Sequence, residues 1–250
     1  MIYFVGAGPG DVDLITVKGR RVLERAQLVV FAGSLVWERH LDFCRSGCVK
    51  RNSASMTLEE IMAEMIATVR RNRIVVRLHT GDPSLYGAIG EQMAWLDREK
   101  IEYEVIPGVS SFTASCAILK REFTLPGVSQ TVIVTRLAGR TPVPESEDLE
   151  SLASHKCSMA IFLSVRNIRQ VAAKLAKGYG RDDVPVAVVY RATWQDQKVV
   201  TGTLRDIAEK VERNDIEKTA QILVGDFIEC GFERSRLYSP RFSHEYRTGV

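Results

Sequence analysis

Short apolar runs alternate along the chain with longer stretches in which apolar residues recur every three or four positions, the signatures of strand and amphipathic helix. Ile2-Tyr3-Phe4-Val5 reads as a buried strand, Gly6, Gly8 and Gly10 break it, and a basic amphipathic stretch over 16–26 predicts a helix. Leu28-Val29-Val30-Phe31 is a second strand. Thr57-Leu58-Glu59-Glu60 carries the spacing of a capping box, after which Leu58, Ile61, Met62, Met65, Ile66 and Val69 fall on one helical face. Those methionines read as core filler. Residues 74–78 and 103–106 are further strands around a helix over 89–99. The pattern is interrupted at Phe123-Thr124-Leu125-Pro126-Gly127, and a new series begins with strands at 131–134, 159–163, 186–190 and 222–224. Ile168, Val171, Ala172 and Leu175 mark an intervening helix, and Thr203-Leu204-Arg205-Asp206 starts another. The arrangement predicts an α/β protein of two α/β domains with largely parallel sheets, 1–118 and 130–250, joined by a linker over 119–129. A ligand cleft is expected between the domains.

Composition adds exclusions. Of 250 residues, 45% are hydrophobic and 26% charged, which suits a soluble globular protein and excludes a disordered or disulfide-stapled one. No apolar run is long enough to span a bilayer, and the first residues reach a glycine turn without a signal segment, so the expectation is a cytoplasmic protein with no membrane partner. A net charge of +3 is too mild to imply nucleic acid and is compatible with a small anionic ligand. Cys44, Cys48, Cys116, Cys157 and Cys230 make an odd set that suits free thiols in a reducing compartment. Cys44 and Cys48 have no second Cys or His pair to complete a zinc site, so no metal is expected.

The candidate chemistry lies where strands end. Gly6-Ala7-Gly8-Pro9-Gly10 could bring backbone amides close to a ligand or serve only as a tight strand-to-helix connection. It is a poor dinucleotide fingerprint: Asp11 occupies the third glycine position, and the second strand ends in Phe31-Ala32-Gly33 without a ribose-binding acid. No Gly-Lys-Ser/Thr follows to make a phosphate loop. His79-Thr80-Gly81-Asp82-Pro83 and Ile106-Pro107-Gly108-Val109-Ser110-Ser111 end two more strands and should share the same sheet edge, a set suited to a ligand with adenine and amino-acid moieties. Asp82 is the one carboxylate there, either facing a ligand or capping the next helix.

These three loops, with Leu14-Ile15-Thr16 after the first, resemble the tetrapyrrole methylases of the cobalamin and sirohaem pathways. Ala32-Gly33-Ser34-Leu35-Val36, Tyr86-Gly87-Ala88-Ile89-Gly90-Glu91-Gln92, Thr135-Arg136-Leu137-Ala138-Gly139-Arg140-Thr141-Pro142-Val143-Pro144 and Tyr190-Arg191-Ala192-Thr193-Trp194 resemble the precorrin-4 C11-methyltransferase branch of that family. The resemblance spans nearly the whole chain in order. It implies a homodimer and S-adenosyl-methionine bound in the interdomain cleft, with S-adenosyl-homocysteine as product and a tetrapyrrole as substrate. Carried over by position, Pro9 lines the cofactor floor, Gly81 and Asp82 face the methionine part, and Ser110 and Ser111 sit beside it. Phe162, Leu163, Ala192, Thr219 and Ala220 correspond to the adenosine pocket; many relatives have proline where Thr219 stands.

Methyl transfer to an electron-rich macrocycle asks the protein mainly for alignment, so no covalent nucleophile is expected; Ser34 and Asp82 are orientation candidates. A polycarboxylate substrate calls for arginines, whose planar fork meets carboxylates in pairs of hydrogen bonds. Arg136 and Arg140 come first, with Arg77 and Arg191 behind them, and Tyr86 could form an apolar wall. His79 is an acid/base candidate or a satisfied loop histidine. Two other classes stay open: a dinucleotide-dependent oxidoreductase and a non-catalytic ligand-binding α/β protein. Cobalt-precorrin-4 is the alternative to metal-free precorrin-4 as substrate.

Overall fold

The computed structural model describes residues 1–139, 141–229, 231 and 233–249, with the Ser34 side chain outside the description. The chain divides into two compact units, Met1–Ala114 with Arg191–Gln197, and Ser115–Tyr190 with Lys198–Val250.

In the first unit β1 (Ile2–Gly6), β2 (Leu28–Phe31), β3 (Val49–Asn52), β4 (Val75–His79) and β5 (Tyr103–Ile106) form one sheet in the order β3-β2-β4-β1-β5. All its pairings are parallel. Side chains alternate between faces every second residue, so each strand feeds two cores. Val5, Val29, Phe31, Val76 and Leu78 pack with Val22 and Leu23 of α1 (Val17–Leu23). On the opposite face Ile2, Phe4, Leu28, Val30 and Val75 meet Ile61, Met62, Met65 and Ile66 of α2 (Leu58–Val69) and Ile89 and Leu96 of α3 (Ile89–Arg98). Helices thus cover both faces, which is why these strands read as continuous apolar runs. Met62 and Met65 are fully buried core, and the Thr57–Glu60 capping box is formed with both of its reciprocal hydrogen bonds. The edge strand β3, Val-Lys-Arg-Asn, is exposed throughout and carried no apolar signal. Its pairing with β2 makes it a strand.

In the second unit β6 (Val132–Arg136), β7 (Ser158–Phe162), β8 (Pro185–Tyr190), β9 (Lys198–Thr203) and β10 (Ala220–Val224) are ordered β6-β7-β10-β8-β9. The expectation of largely parallel sheets is met in full by the first sheet and only in part by this one, which is mixed. Only β6 and β7 run parallel, and the pairings of β10 with β7, β10 with β8 and β8 with β9 are antiparallel. The connection from β8 to β9 is too short for the crossover of a dozen or more residues that a parallel neighbour needs. The helices α5 (Leu149–Ala153), α6 (Ile168–Tyr179) and α7 (Ile207–Arg213) share one core with this sheet's Met159, Ile161, Val186, Val188, Ile222 and Val224. The segment read as a linker is packed into this unit. Phe123 and Leu125 are buried, the Ser158 hydroxyl donates to the Phe123 carbonyl at 2.8 Å, and the Phe123 ring lies 4.8 Å from that of Phe227. The chain crosses between units within α4 (Ser111–Ile118). Among the described residues no helix is long and apolar enough to cross a membrane.

Candidate functional site

At the carboxyl edge of the first sheet, β1 stands between β4 and β5, so the loops that follow all three are neighbours. Their backbones touch. A Cβ on Gly108 would lie 2.1 Å from the Gly81 carbonyl oxygen and 2.8 Å from the Gly6 Cα, and one on Gly6 would lie 2.6 Å from both the Gly108 Cα and the Gly81 oxygen. Only glycine permits this approach at 6 and 108. Gly8 and Gly81 exchange backbone hydrogen bonds of 3.3 and 2.8 Å, and the Ala7 amide donates to the His79 carbonyl at 2.8 Å. The expectation that these three loops share one edge is met within this unit.

Asp82 joins two of the loops. One carboxylate oxygen accepts from the Gly108 amide at 2.9 Å, and the other accepts from the Ser84 amide at 2.8 Å and from the Ser84 hydroxyl. Burial opposes ionisation of this carboxyl, but those donors outweigh it and hold its pKa below the ordinary aspartate value. It does not cap the next helix: α3 begins at Ile89, and its N-cap is Ala88 in a left-handed conformation. Ser110 is buried, and its carbonyl accepts from the Thr113 hydroxyl at 2.9 Å as the chain enters α4. Tyr86 is exposed with φ of 57°, a strained setting for an aromatic residue.

His79 and Arg77 point from β4 into the face shared with α2 and α3. Arg77 is 7% exposed, donates to the Val30 carbonyl at 3.2 Å, and leaves its Nε without a partner; burial pushes its pKa to about 10. It stays a cation inside the unit and is not presented as a surface arginine. Burial, with Arg77 nearby, pushes the His79 pKa down to about 3. Its Nε2 is buried and unpartnered, so the ring is neutral near pH 7 and does not serve as an exposed acid. Cys116 is buried, its thiol donates to the Arg121 carbonyl, and burial raises its pKa to about 11, the setting of an inert thiol.

Ala192 falls in the segment Arg191–Gln197, which belongs to the first unit although its flanking strands belong to the second. It is buried at the base of an arm whose Trp194 reaches the glycine loop: the indole N–H donates to the Pro9 carbonyl at 2.9 Å, and the Asp11 amide donates to the Thr193 hydroxyl at 2.9 Å. Sequence reasoning placed this segment wholly in the second half of the chain. No local pattern reports a contact at that sequence separation.

In the second unit Phe162 and Leu163 end β7 beside the start of β10, where Thr219 and Ala220 lie. Leu163 has φ of 54° and is 75% exposed, and Thr219 has φ of 55°. A branched apolar side chain held out at a sheet edge in a left-handed backbone is a strained arrangement of the kind found at ligand sites. The Arg136 guanidinium is spent on its own loop, donating to the carbonyls of Thr141 at 3.1 Å and Pro142 at 2.7 Å. Arg191 pairs with Asp196 and lies over Trp194. Arg140 and the Ser34 side chain, both read as substrate contacts, lie outside the described residues. A surface groove of about 510 Å³ elsewhere in this unit is bordered by Arg166, Arg169, Glu212 and Glu217 and contains none of the candidates. Arg169 and Glu212 pair with each other there, so cavity volume does not mark the chemistry.

Glycine loops gathered at the carboxyl edge of a doubly covered parallel sheet in the first unit, and a mixed sheet in the second, define a two-unit α/β protein. The chain belongs to the tetrapyrrole (corrin/porphyrin) methylase family, whose model matches residues 1–208. It is 52% identical over 98% of its length to a cobalt-precorrin-4 C(11)-methyltransferase of Methanocaldococcus jannaschii, of which it covers 95%. It is 47% identical to a precorrin-4 C(11)-methyltransferase of Pseudomonas aeruginosa, with 99% of each chain covered. Among solved structures, a cobalt precorrin-4 methyltransferase of cobalamin biosynthesis superposes with a TM-score of 0.89 at 45% identity, covering 92% of this chain and 96% of the other.

Proposed function

We propose that this protein transfers a methyl group from S-adenosyl-methionine to C11 of precorrin-4, giving precorrin-5 in cobalamin biosynthesis. The observation that carries the reading is similarity at about half of all positions over nearly the full length of two relatives that bear this activity in their names. Relatives named for the cobalt-bearing substrate, at 52% and 44% identity, stand on either side of the one named for the metal-free form at 47%, and cobalt-precorrin-4 is the alternative substrate.

The glycine-lined edge fits the cofactor. Gly6 and Gly108 bring backbone close together where a Cβ would intrude, Gly81 takes a φ of 60°, and the Asp82 carboxylate is already hydrogen-bonded by loop donors, so it shapes the edge. Pro9, Gly81, Asp82, Ser110 and Ser111 are assigned to the methionine part of the cofactor, and Phe162, Leu163, Ala192, Thr219 and Ala220 to the adenosine. When bound, S-adenosyl-methionine supplies an electrophilic methyl group on a sulfonium. The chain's own contribution is to orient: hydrogen-bonded loops set the cofactor floor, and the exposed Leu163, on a backbone held in the left-handed region, offers an apolar contact. No protein nucleophile is assigned; buried Cys116 with its raised pKa supports this. Ser34, Tyr86, Arg136 and Arg140 are assigned to the tetrapyrrole, with Arg136 acting by holding the loop that carries Arg140. The reading includes a homodimer working in the cytoplasm, as the family resemblance implies.

Calorimetric titration tests the cofactor class. Heat on adding S-adenosyl-homocysteine and none on adding NAD is expected. Binding of NAD alone would return the protein to the dinucleotide-dependent class, and binding of S-adenosyl-homocysteine without any turnover of either precorrin would make it a non-catalytic binder.

A further inference from the structure

The arm 191–197 contains a layered stack that the methyl-transfer reading does not use. The Trp194 ring stacks on Trp37 with centroids 5.7 Å apart at 27°. The Arg191 guanidinium lies 4.1 Å from the Trp194 ring centre, and that of Arg39 lies 5.0 Å from the Trp37 ring centre. Each indole thus contacts both the other indole and a guanidinium. What the stack does is fix the edge of Trp194. That edge meets the glycine loop: the indole N–H donates to the Pro9 carbonyl at 2.9 Å, and a Cβ on Gly10 would stand 2.2 Å from the indole Cδ1.

The far end of the stack is anchored to the same loop. The two ring nitrogens of buried His40 lie 2.8 Å from the Ala7 carbonyl and 2.9 Å from that of Trp37. His40 thus lies between the start of the loop and the Trp37 backbone, and Trp194 holds the middle of the loop. Thr193 is a β-branched residue at φ 69°, and Arg191 has φ 45°. Such backbone persists only where the surroundings impose it. Here the Thr193 hydroxyl takes the Asp11 amide and its N–H donates to the Gln197 side chain at 2.7 Å.

We infer that Trp194 is a positioning residue for the cofactor: held in contact with Arg191 and Trp37, it sets the position of Pro9 and Gly10 in the loop that receives S-adenosyl-methionine. This rests on the assignment of Pro9 to the cofactor floor. Trp194→Phe keeps an aromatic ring and removes the N–H; it should raise the S-adenosyl-homocysteine Kd several-fold and, because the lost hydrogen bond lies within the protein, lower Tm by about 2–4 °C, while kcat at saturating cofactor stays within twofold. Trp194→Ala should raise the Kd further. Gly10→Ala should weaken binding and lower Tm in the Trp194 protein, yet add little in the Trp194→Ala background, because the clash is with the indole. Wild-type affinity in Trp194→Phe and Trp194→Ala, with Gly81→Ala still weakened, would overturn this inference and leave the cofactor assignment standing. Additive Gly10 and Trp194 effects would also overturn it. Wild-type protein that binds no S-adenosyl-homocysteine would instead remove the assignment on which it rests.

Discussion

Gly108 has no side chain, and that absence shapes the first unit's edge. Its Cα sits where a Cβ would be driven 2.1 Å from the Gly81 carbonyl oxygen, and that atom is backbone that cannot swing away. Gly108→Ala should therefore destabilise by about 1–3 kcal/mol through forced backbone shifts, seen as a lower Tm, and weaken S-adenosyl-homocysteine binding. His79 gives a second residue-scale test. Its pKa falls from 6.5 to about 3 on folding, chiefly through burial. The unfolded chain thus binds the proton that the native site refuses, so this contribution to stability is complete above pH 6.5 and is lost as pH falls towards 3. Between pH 7 and pH 5 it amounts to about 2 kcal/mol. Denaturant titrations should show His79→Gln less sensitive than wild type to acid over that interval; equal sensitivity would contradict the assignment. The glycines were legible in the sequence, because a run of them after a strand has few other uses. The role of Asp82 was not, because its partner, the Gly108 amide, lies on a different strand end.

At the scale of elements, legibility followed burial. Strands buried on both faces, such as β1, β2, β4 and β8, announced themselves as apolar runs, and α2 announced itself by its cap and one-sided periodicity. Two of the four edge strands did not: β3 is exposed throughout, and β9, Lys-Val-Val-Thr-Gly-Thr, buries little beyond Val200. What makes them strands is a neighbour's unpaired backbone, which no local pattern contains. The direction of β10 was hidden for the same reason. The α2 cap can be weighed directly. Thr57→Ala removes the hydroxyl that accepts the Glu60 amide and should cost about 1 kcal/mol in equilibrium unfolding, with S-adenosyl-homocysteine affinity and turnover unchanged. A loss of affinity there would mean that α2 supports the cofactor edge.

On the scale of the whole molecule, the chain is two units that are interleaved in sequence, since 191–197 belongs with the first while β8 and β9 on either side belong to the second. A division read along the sequence misses this, because composition and periodicity do not change across the arm. The net charge of +3 also says little on its own. Arg136 and Arg191 hold backbone carbonyls, a carboxylate and a ring, and Arg77 is buried, so several arginines that suggested a polycarboxylate surface are structural. Their roles depend on where each guanidinium ends, several bonds from the backbone that the sequence patterns describe. The position of the transferred methyl separates C11 methylation from transfer to a neighbouring ring carbon. Incubation with S-adenosyl-methionine labelled with carbon-13 at the methyl group, in parallel with cobalt-precorrin-4 and metal-free precorrin-4, followed by NMR of the product, measures it directly. One new labelled methyl at C11 is expected; label at any other ring carbon, or on the protein, would rule out C11 methyl transfer.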